Sequence, residues 1–400
     1  MNTYLPATDP SLPDVRVEWA IAKAEFAARG AARSAAEQLA AIHETLSEAR
    51  DFPSVYLGPG SADSQFAERA AVADLAVRLS ISENTVRSQA AQASTLMRCT
   101  PRVWFEFRDG LVSAANARTV AELADTLDDP ALHAAFDEAV VGPAQTLAPA
   151  RFRTRARGIR ERLEPQRAEE RHARQMEQRG VWIDPHIDGM AWLSAYLPAH
   201  IAQRAMAAVD HVALGASPDD PRTLEQRRAD AFGDLLIGPR GARTVGVRVA
   251  VTVPVLALLG HDDEGGTLDG YGPIDPATAR ELAAEAPSFT RILTHPVSST
   301  VLDVDRTTYR PPADLARWLR VRDVECGFIG CGRVAANCDI DHTVPWAAGG
   351  HTSADNLMHL CRHHHRLKHE SGWSVTRGQD GRAVWRSPTG LVRTADPPPY

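Results

Sequence analysis

Lysine is almost missing from this 400-residue chain. Lys23 and Lys368 are the two present, so cationic contacts rest with arginine. Cysteine is also scarce: there are five, and four of them fall within residues 326–361. That clustering argues against a disulfide scaffold and for metal ligation in a reducing cytoplasm. The isolated Cys99 reads as a small buried hydrophobe. No apolar run is long enough to cross a bilayer, because the longest, residues 249–259, is interrupted by Thr252 and Pro254. The first twenty residues lack the basic-then-apolar order of a secretory leader. An excess of positive charge is missing too, since the formal net charge is -7. Residues 301–400 carry 13 basic and 11 acidic groups, against 31 and 40 in the remainder. Any grip on phosphates therefore depends on local arginine placement and bound metal, and is salt-sensitive. The length exceeds one ordinary core and predicts two or three domains.

What is present is concentrated in residues 326–369. Cys326 and Cys331 form C-x4-C, and Cys361 and His364 form C-x2-H. These four donors suit a tetrahedral Zn2+ that staples a small module. Interleaved with them are Asp341, His342, Asn356, His365 and His369, oxygen and nitrogen groups suited to a catalytic divalent ion. His365 and His369 are four apart, so they share a helix face. Two assignments stay open. Cys338 is either a core residue or a substitute zinc ligand, and His369 is either a ligand or a cation placed against a helix C-terminus.

Asp341-His342, Pro345, Gly349-Gly350, Asn356-Leu357 and Cys361-x2-His364-His365-x2-Lys368 together resemble the HNH endonuclease family. The resemblance implies a ββα-metal fold, with Asp341-His342 on a strand and His365 on the following helix. It implies His342 as general base, Asp341 and His365 as ligands of Mg2+, Mn2+ or another divalent ion, and His369 as an added ligand. Asn356 would hold the loop so that His342 keeps its orientation. An imidazole, with an ordinary pKa of about 6.5, suits a base working near neutrality. The competing reading is a zinc-stabilised nucleic-acid-binding protein without cleavage.

Upstream, the pattern is helical. Residues 15–48 are Ala-rich with helical spacing, and a break follows at 51–60. Residues 71–91 resemble a helix-turn-helix with Ser82 as N-cap. Glu83, Asn84, Arg87 and Gln89 would then face a major groove, or the segment is a plain helical hairpin in a bundle. Arg151, Arg153, Arg155, Arg157, Arg160 and Arg162 form the densest basic run, which fits a solvated face or a nucleic-acid contact. Residues 103–127 and 149–180 continue the helical pattern, and the strings at 188–193, 197–198 and 222–230 lead into another helix ending near Gly238. Residues 245–255 alternate as a strand, residues 269–273 turn, Asp275-Pro276 opens a helix, and 290–305 add a strand pair. After the metal segment, two short runs around Asp380-Gly381 predict a hairpin.

Ala191-Trp-Leu193, Arg228-Ala-Asp230, Gly270-Tyr-Gly-Pro-Ile274 and Tyr309-Arg-Pro-Pro312 resemble a helical domain of unknown function, the DUF222 type, that precedes HNH modules in bacteria. The expected architecture is a mainly α N-terminal domain over 15–310, with a small α+β bridge at 243–305. A zinc-stapled ββα-metal module at 311–390 and a flexible tail at 391–400 follow. The expected activity is metal-dependent hydrolysis of DNA, most simply duplex, in the cytoplasm. Arg87, Arg366 and Lys368 are the candidate nucleic-acid contacts, and the helical domain is a candidate surface for self-association.

Overall fold

A computed structural model describes residues 13–60, 62–164, 168–215, 217, 219–237, 251–252, 265–268, 271–284, 311–378 and 380–396. The chain divides into two compact units. One is Met1–Ala168 together with Ser299–Pro398, and the other is built from Glu169–Ser298.

The first unit is organised by a long helix, α1 (Pro13–Asp51), of 39 residues. At about 1.5 Å per residue it runs for roughly 58 Å. Its buried residues Ala32, Ala36, Leu39, Ile42, Leu46 and Ala49 recur every three or four positions, which makes one apolar stripe. A single turn, α2 (Ser54–Leu57), sits in the expected break. In α3 (Ser64–Leu79) the N-cap Asp63 accepts a hydrogen bond from the Phe66 amide at 2.9 Å. Ser80 then turns the chain through the left-handed region at φ 55°. Ser82 caps α4 (Glu83–Cys99) by accepting from the Thr85 amide at 3.1 Å. Four more helices complete the layer: α5 (Pro101–Arg108), α6 (Ala114–Ala124), α7 (Pro130–Thr146) and α8 (Pro149–Leu163).

The stripe on α1 serves two cores. Its first half, Ala32 to Leu39, packs with Leu96, Phe107, Phe136 and Phe152 in an all-helical cluster. Its second half, from Ile42, joins Ala70, Ala73 and Val86 to Phe328, Leu360, Leu367, Trp373 and Trp385 from the far end of the chain. Helix α4 is shared in the same way, with Val86 in one core and Leu96 in the other.

The second unit follows α9 (Ala168–Glu177) with an antiparallel hairpin, β1 (Gly180–Pro185) and β2 (Ala191–Tyr196), in a stretch where the sequence pattern predicts no strand. Here Asp188 and Gly189 both adopt positive φ, and such residues form a tight turn between strands. The apolar runs on either side lack the alternation that would mark them as strands. Helices α10 (Ala199–Leu214) and α11 (Leu224–Ile237) come next. Strands β3 (Val251–Thr252), β4 (Gly266–Leu268) and β5 (Gly272–Ile274) form a small antiparallel sheet. Helix α12 (Pro276–Ala284) is held by Asp275, which accepts from the Ala277 and Thr278 amides at 2.9 and 3.0 Å. The rest of the strand expected at 245–255, and the strand pair expected at 290–305, lie outside the described residues.

The chain returns to the first unit with α13 (Ala313–Asp323), β6 (Asp339–His342), β7 (Leu357–Leu360) and α14 (Arg362–Glu370). Strands β6 and β7 are antiparallel, with Asp341 opposite Met358 and His342 opposite Leu357. A three-stranded sheet closes the module: β8 (Ser374–Arg377), β9 (Ala383–Arg386) and β10 (Val392–Thr394) in the order β10-β9-β8. The third strand corrects the expected tail at 391–400. The Ser387 hydroxyl accepts from the Leu391 amide at 3.1 Å, which folds the chain back so that β10 pairs with β9.

This closing sheet is seated on the helices. The Trp373 indole donates to Ala70 O at 3.3 Å, and the Gly372 amide donates to Tyr56 O at 2.7 Å. The expected boundary near residue 310 therefore does not separate two bodies. The metal segment shares a core with residues 42–86 in one compact unit, and residues 169–298 belong to the other. Among the described residues, no helix is long and apolar enough to cross a membrane.

Candidate active site and metal centre

Cys326, Cys331, Cys361 and His364 converge, with their ligand atoms all within 4.8 Å of one another. His364 Nδ1 lies 3.4 Å from Cys326 Sγ and 3.3 Å from Cys361 Sγ. Local structure explains the convergence. Cys361 is the N-cap residue of α14, so His364 stands one turn later on the same face. The Cys361 amide donates to Cys326 Sγ at 3.4 Å, and the Cys326 amide donates to Arg333 O at 2.8 Å. Phe328 stacks on the His364 ring with centroids 4.0 Å apart and planes 14° apart.

Three thiols and one imidazole within reach of one centre are a donor set that fits Zn2+. The electrostatics point the same way. Burial lowers the His364 pKa, but hydrogen bonds with Cys331, Cys361 and Glu83 outweigh it and push the pKa up to about 11. Hydrogen bonds from Cys326 and Cys331 hold the Cys361 thiol well below the ordinary thiol range. The same contacts push the Cys326 thiol up, so the cluster favours a thiolate at Cys361, the form in which a cysteine binds metal. Cys338 stays outside the group, with its thiol directed at Val334 O at 3.4 Å.

The second site lies across the same β6–α14 pair. His365 and His369 approach Asp341 Oδ1 at 3.4 and 3.2 Å, and the three ligand atoms form a compact triad. The other carboxylate oxygen accepts from the Lys368 ammonium at 2.5 Å, and Lys368 also donates to His342 O. Burial would raise the Asp341 pKa, but Lys368 and then His369 overcome it, so the carboxyl sits below its usual range. His342 is buried beside it, with Nε2 3.0 Å from the Thr352 hydroxyl and the ring edge-on to Trp346. Burial, joined by the Lys368 charge and opposed by Asp341, lowers its pKa below the ordinary histidine value.

Asn356 clamps the loop between β6 and β7. Its Oδ1 accepts from the Val344 amide at 2.8 Å, while Nδ2 donates to Val344 O at 3.1 Å and to His351 O at 2.9 Å. Gly350 passes under this clamp. A Cβ there would fall on the Val344 carbonyl and lie 2.8 Å from Asn356 Nδ2. Gly350→Ala should therefore displace the loop that carries Thr352. A loss of about 1–3 kcal/mol is expected, read as a lower thermal midpoint.

The nucleic-acid candidates are placed differently from one another. Lys368 is turned inward onto Asp341, with a side chain only 7% exposed, because its ammonium bonds both the Asp341 carboxylate and the His342 carbonyl on β6. Arg366 pairs with Glu370 at 2.6 Å and lies over the Phe66 ring. Arg87 pairs with Glu83 at 2.6 Å. Sequence reasoning missed three supports of the site. Thr352 contacts His342, Asp323 binds both the His359 amide and ring at 2.9 Å, and Glu83 reaches the metal centre from α4. None had a local signal, since each acts on a residue distant in sequence or through a loop.

Residues 26–323 match the model of a domain of unknown function, DUF222. The chain belongs to the DUF222 family. An HNH endonuclease model matches residues 325–371 and spans the strands, loop and helix just described. The DUF222 match runs without interruption through both compact units, so residues 169–298 are part of it. The chain is similar to the uncharacterized protein Rv3776 of Mycobacterium tuberculosis (strain ATCC 25618 / H37Rv). The identity is 30% over 367 residues, covering 82% of this chain and 70% of that one. It is also similar to the uncharacterized protein Rv2100 of the same strain, at 32% over 265 residues, covering 54% of this chain and 48% of that one. The chain thus spans about half the length of Rv2100. No solved structure matches the chain. The combination of a DUF222 region with an HNH segment and a Cys/His cluster able to hold a metal supports a nuclease-family reading.

Proposed function

We propose that this DUF222 protein is a metal-dependent endonuclease that hydrolyses phosphodiester bonds in duplex DNA, acting in the cytoplasm. The observation that carries the reading is the convergence of Asp341, His365 and His369 beside the buried His342. Asp341, His365 and His369 would hold Mg2+ or Mn2+, which supplies charge neutralisation at the scissile phosphate. His342 takes the proton from the attacking water, and its lowered pKa keeps the ring neutral at working pH. Thr352 and the backbone clamped by Asn356 fix the ring's position, so little reorganisation is needed at the moment of attack. Cys326, Cys331, Cys361 and His364 would hold a structural Zn2+ that sets the start of α14, and so the placement of His365 and His369.

One observation favours a second reading, a zinc-stabilised DNA-binding protein that does not cut. The Lys368 ammonium already neutralises Asp341, so a divalent ion must share that carboxylate with it. Nicking of supercoiled plasmid separates the two readings. Conversion to open circle with Mg2+ or Mn2+, abolished by chelator, supports the enzyme. Plasmid binding without conversion in either metal supports the binding protein. Duplex affinity should fall steeply between about 50 and 200 mM salt, as phosphate contacts require, and fluorescence anisotropy would measure it. The exposed Arg151, Arg153, Arg155 and Arg157 on α8 are the surface through which the helical layer would add to that affinity.

A further inference from the structure

We propose that Glu83, from the helix-turn-helix-like segment, is the outer carboxylate of the Cys/His metal centre, so that the DUF222 region completes the site of the HNH segment. The inference rests on the reading of Cys326, Cys331, Cys361 and His364 as a zinc site.

Glu83 is the first residue of α4 and lies 281 residues from His364 in sequence. Its Oε1 is 2.8 Å from His364 Nε2. The nitrogen facing the cysteine sulfurs is Nδ1, so the ring would bind metal through Nδ1 and carry its proton on Nε2. A neutral imidazole has one such proton to donate, and Glu83 is placed to accept it. A carboxylate in that position fixes the tautomer, locks the ring orientation and makes the ligating nitrogen more basic.

The carboxylate is itself held. Its Oε2 pairs with Arg87 at 2.6 Å and lies 3.0 Å from His363 Nε2, and its side chain is only 15% exposed. Phe328 stacks on the His364 ring and confines its tilt, while Glu83 fixes its rotation in plane. The first turn of α4 is thereby committed to the metal centre rather than offered to a major groove.

The test uses the full chain loaded with Zn2+, comparing wild type, Glu83→Ala, Glu83→Gln and Val86→Ala. Val86 is buried on the same helix and reports loss of packing alone. Zinc is counted by elemental analysis, and its release to excess chelating dye is timed with each protein folded by circular dichroism. Glu83→Ala should release zinc about 10–100-fold faster than wild type. Glu83→Gln, whose amide oxygen still accepts without the charge, should fall between them, and it remains informative if the alanine variant fails to fold. Val86→Ala should lower the thermal midpoint with release within twofold of wild type. Release at the wild-type rate from both Glu83 variants overturns the proposal. So does equal acceleration by Val86→Ala, which would make Glu83 a packing residue. A zinc count falling from two to one in Glu83→Ala also overturns it, because Glu83 would then be a direct ligand of a separate ion with His363. Absence of zinc from wild type removes the metal centre itself, which is distinct from failure of Glu83 alone.

Discussion

Replacing Cys361 with serine should strip the bound zinc and unfold the segment from Cys326 to Trp385. Cys361 does three things at once: it offers one of four metal donors, stands at the N-cap of α14, and is buried in the core joining the segment to the helices. A structural zinc in a small domain contributes an apparent 10–16 kcal/mol or so at neutral pH. Loss of even half of that matches the whole stability margin of a typical domain, about 5–15 kcal/mol. The helical layer need not fall with it, because Leu96, Phe107, Phe136 and Phe152 form a core of their own. The expected outcome is therefore a variant with no zinc by elemental analysis and a thermal transition split or broadened rather than lost. A single cooperative transition at the wild-type midpoint would show that the cluster binds no metal of consequence.

His342→Ala should reduce plasmid nicking by a factor of about 10²–10⁴, the range that a positioned general base contributes. Zinc content should be unchanged, since His342 is no part of the Cys/His group. The pH profile of the wild type adds a second check. Burial lowers the His342 pKa, so the ring loses its proton at lower pH than a free histidine. The acid limb of the rate profile should then lie below pH 6.5, with the rate rising as pH rises and levelling before neutrality. The same shift makes a stability statement. A histidine whose folded pKa is depressed contributes stability that is fully present above its unfolded pKa and is lost as pH falls through the folded one. Nicking that survives in His342→Ala, or an acid limb above pH 6.5, would remove His342 from the role of base.

How much the residues alone revealed divides along the range of the interactions. The ββα segment was readable because its parts lie within about forty-five residues and each carries a local signal. Cys361-x2-His364 sits at a helix start, and His365-x3-His369 lies on one face of that helix. Ser82 and Asp275 likewise announced helices through the hydrogen bonds that their own side chains make. Interactions between distant residues were not readable. Lys368 read as a surface cation, yet it is buried on Asp341 because β6 runs beside α14. The hairpin at 180–196 was hidden because its strands show no alternation, and the turn was the one clue. Nothing in residues 71–91 foretold that Glu83 would meet His364, since that contact exists only once the chain has doubled back across 281 residues.

The shared core also orders events during synthesis. Ala70 and Asp74 leave the ribosome 303 and 315 residues before their partners Trp373 and Thr389, and Tyr56 likewise long precedes Gly372. Until those residues arrive, α1 covers only part of the apolar face of α3, and a chain stopped short would keep the rest bare for chaperones and proteases to find. Completion of the HNH segment and concealment of that face are one event. An HNH segment seated this way cannot reach its native packing on a nascent chain, and unfinished products are marked for removal by the surface they fail to hide.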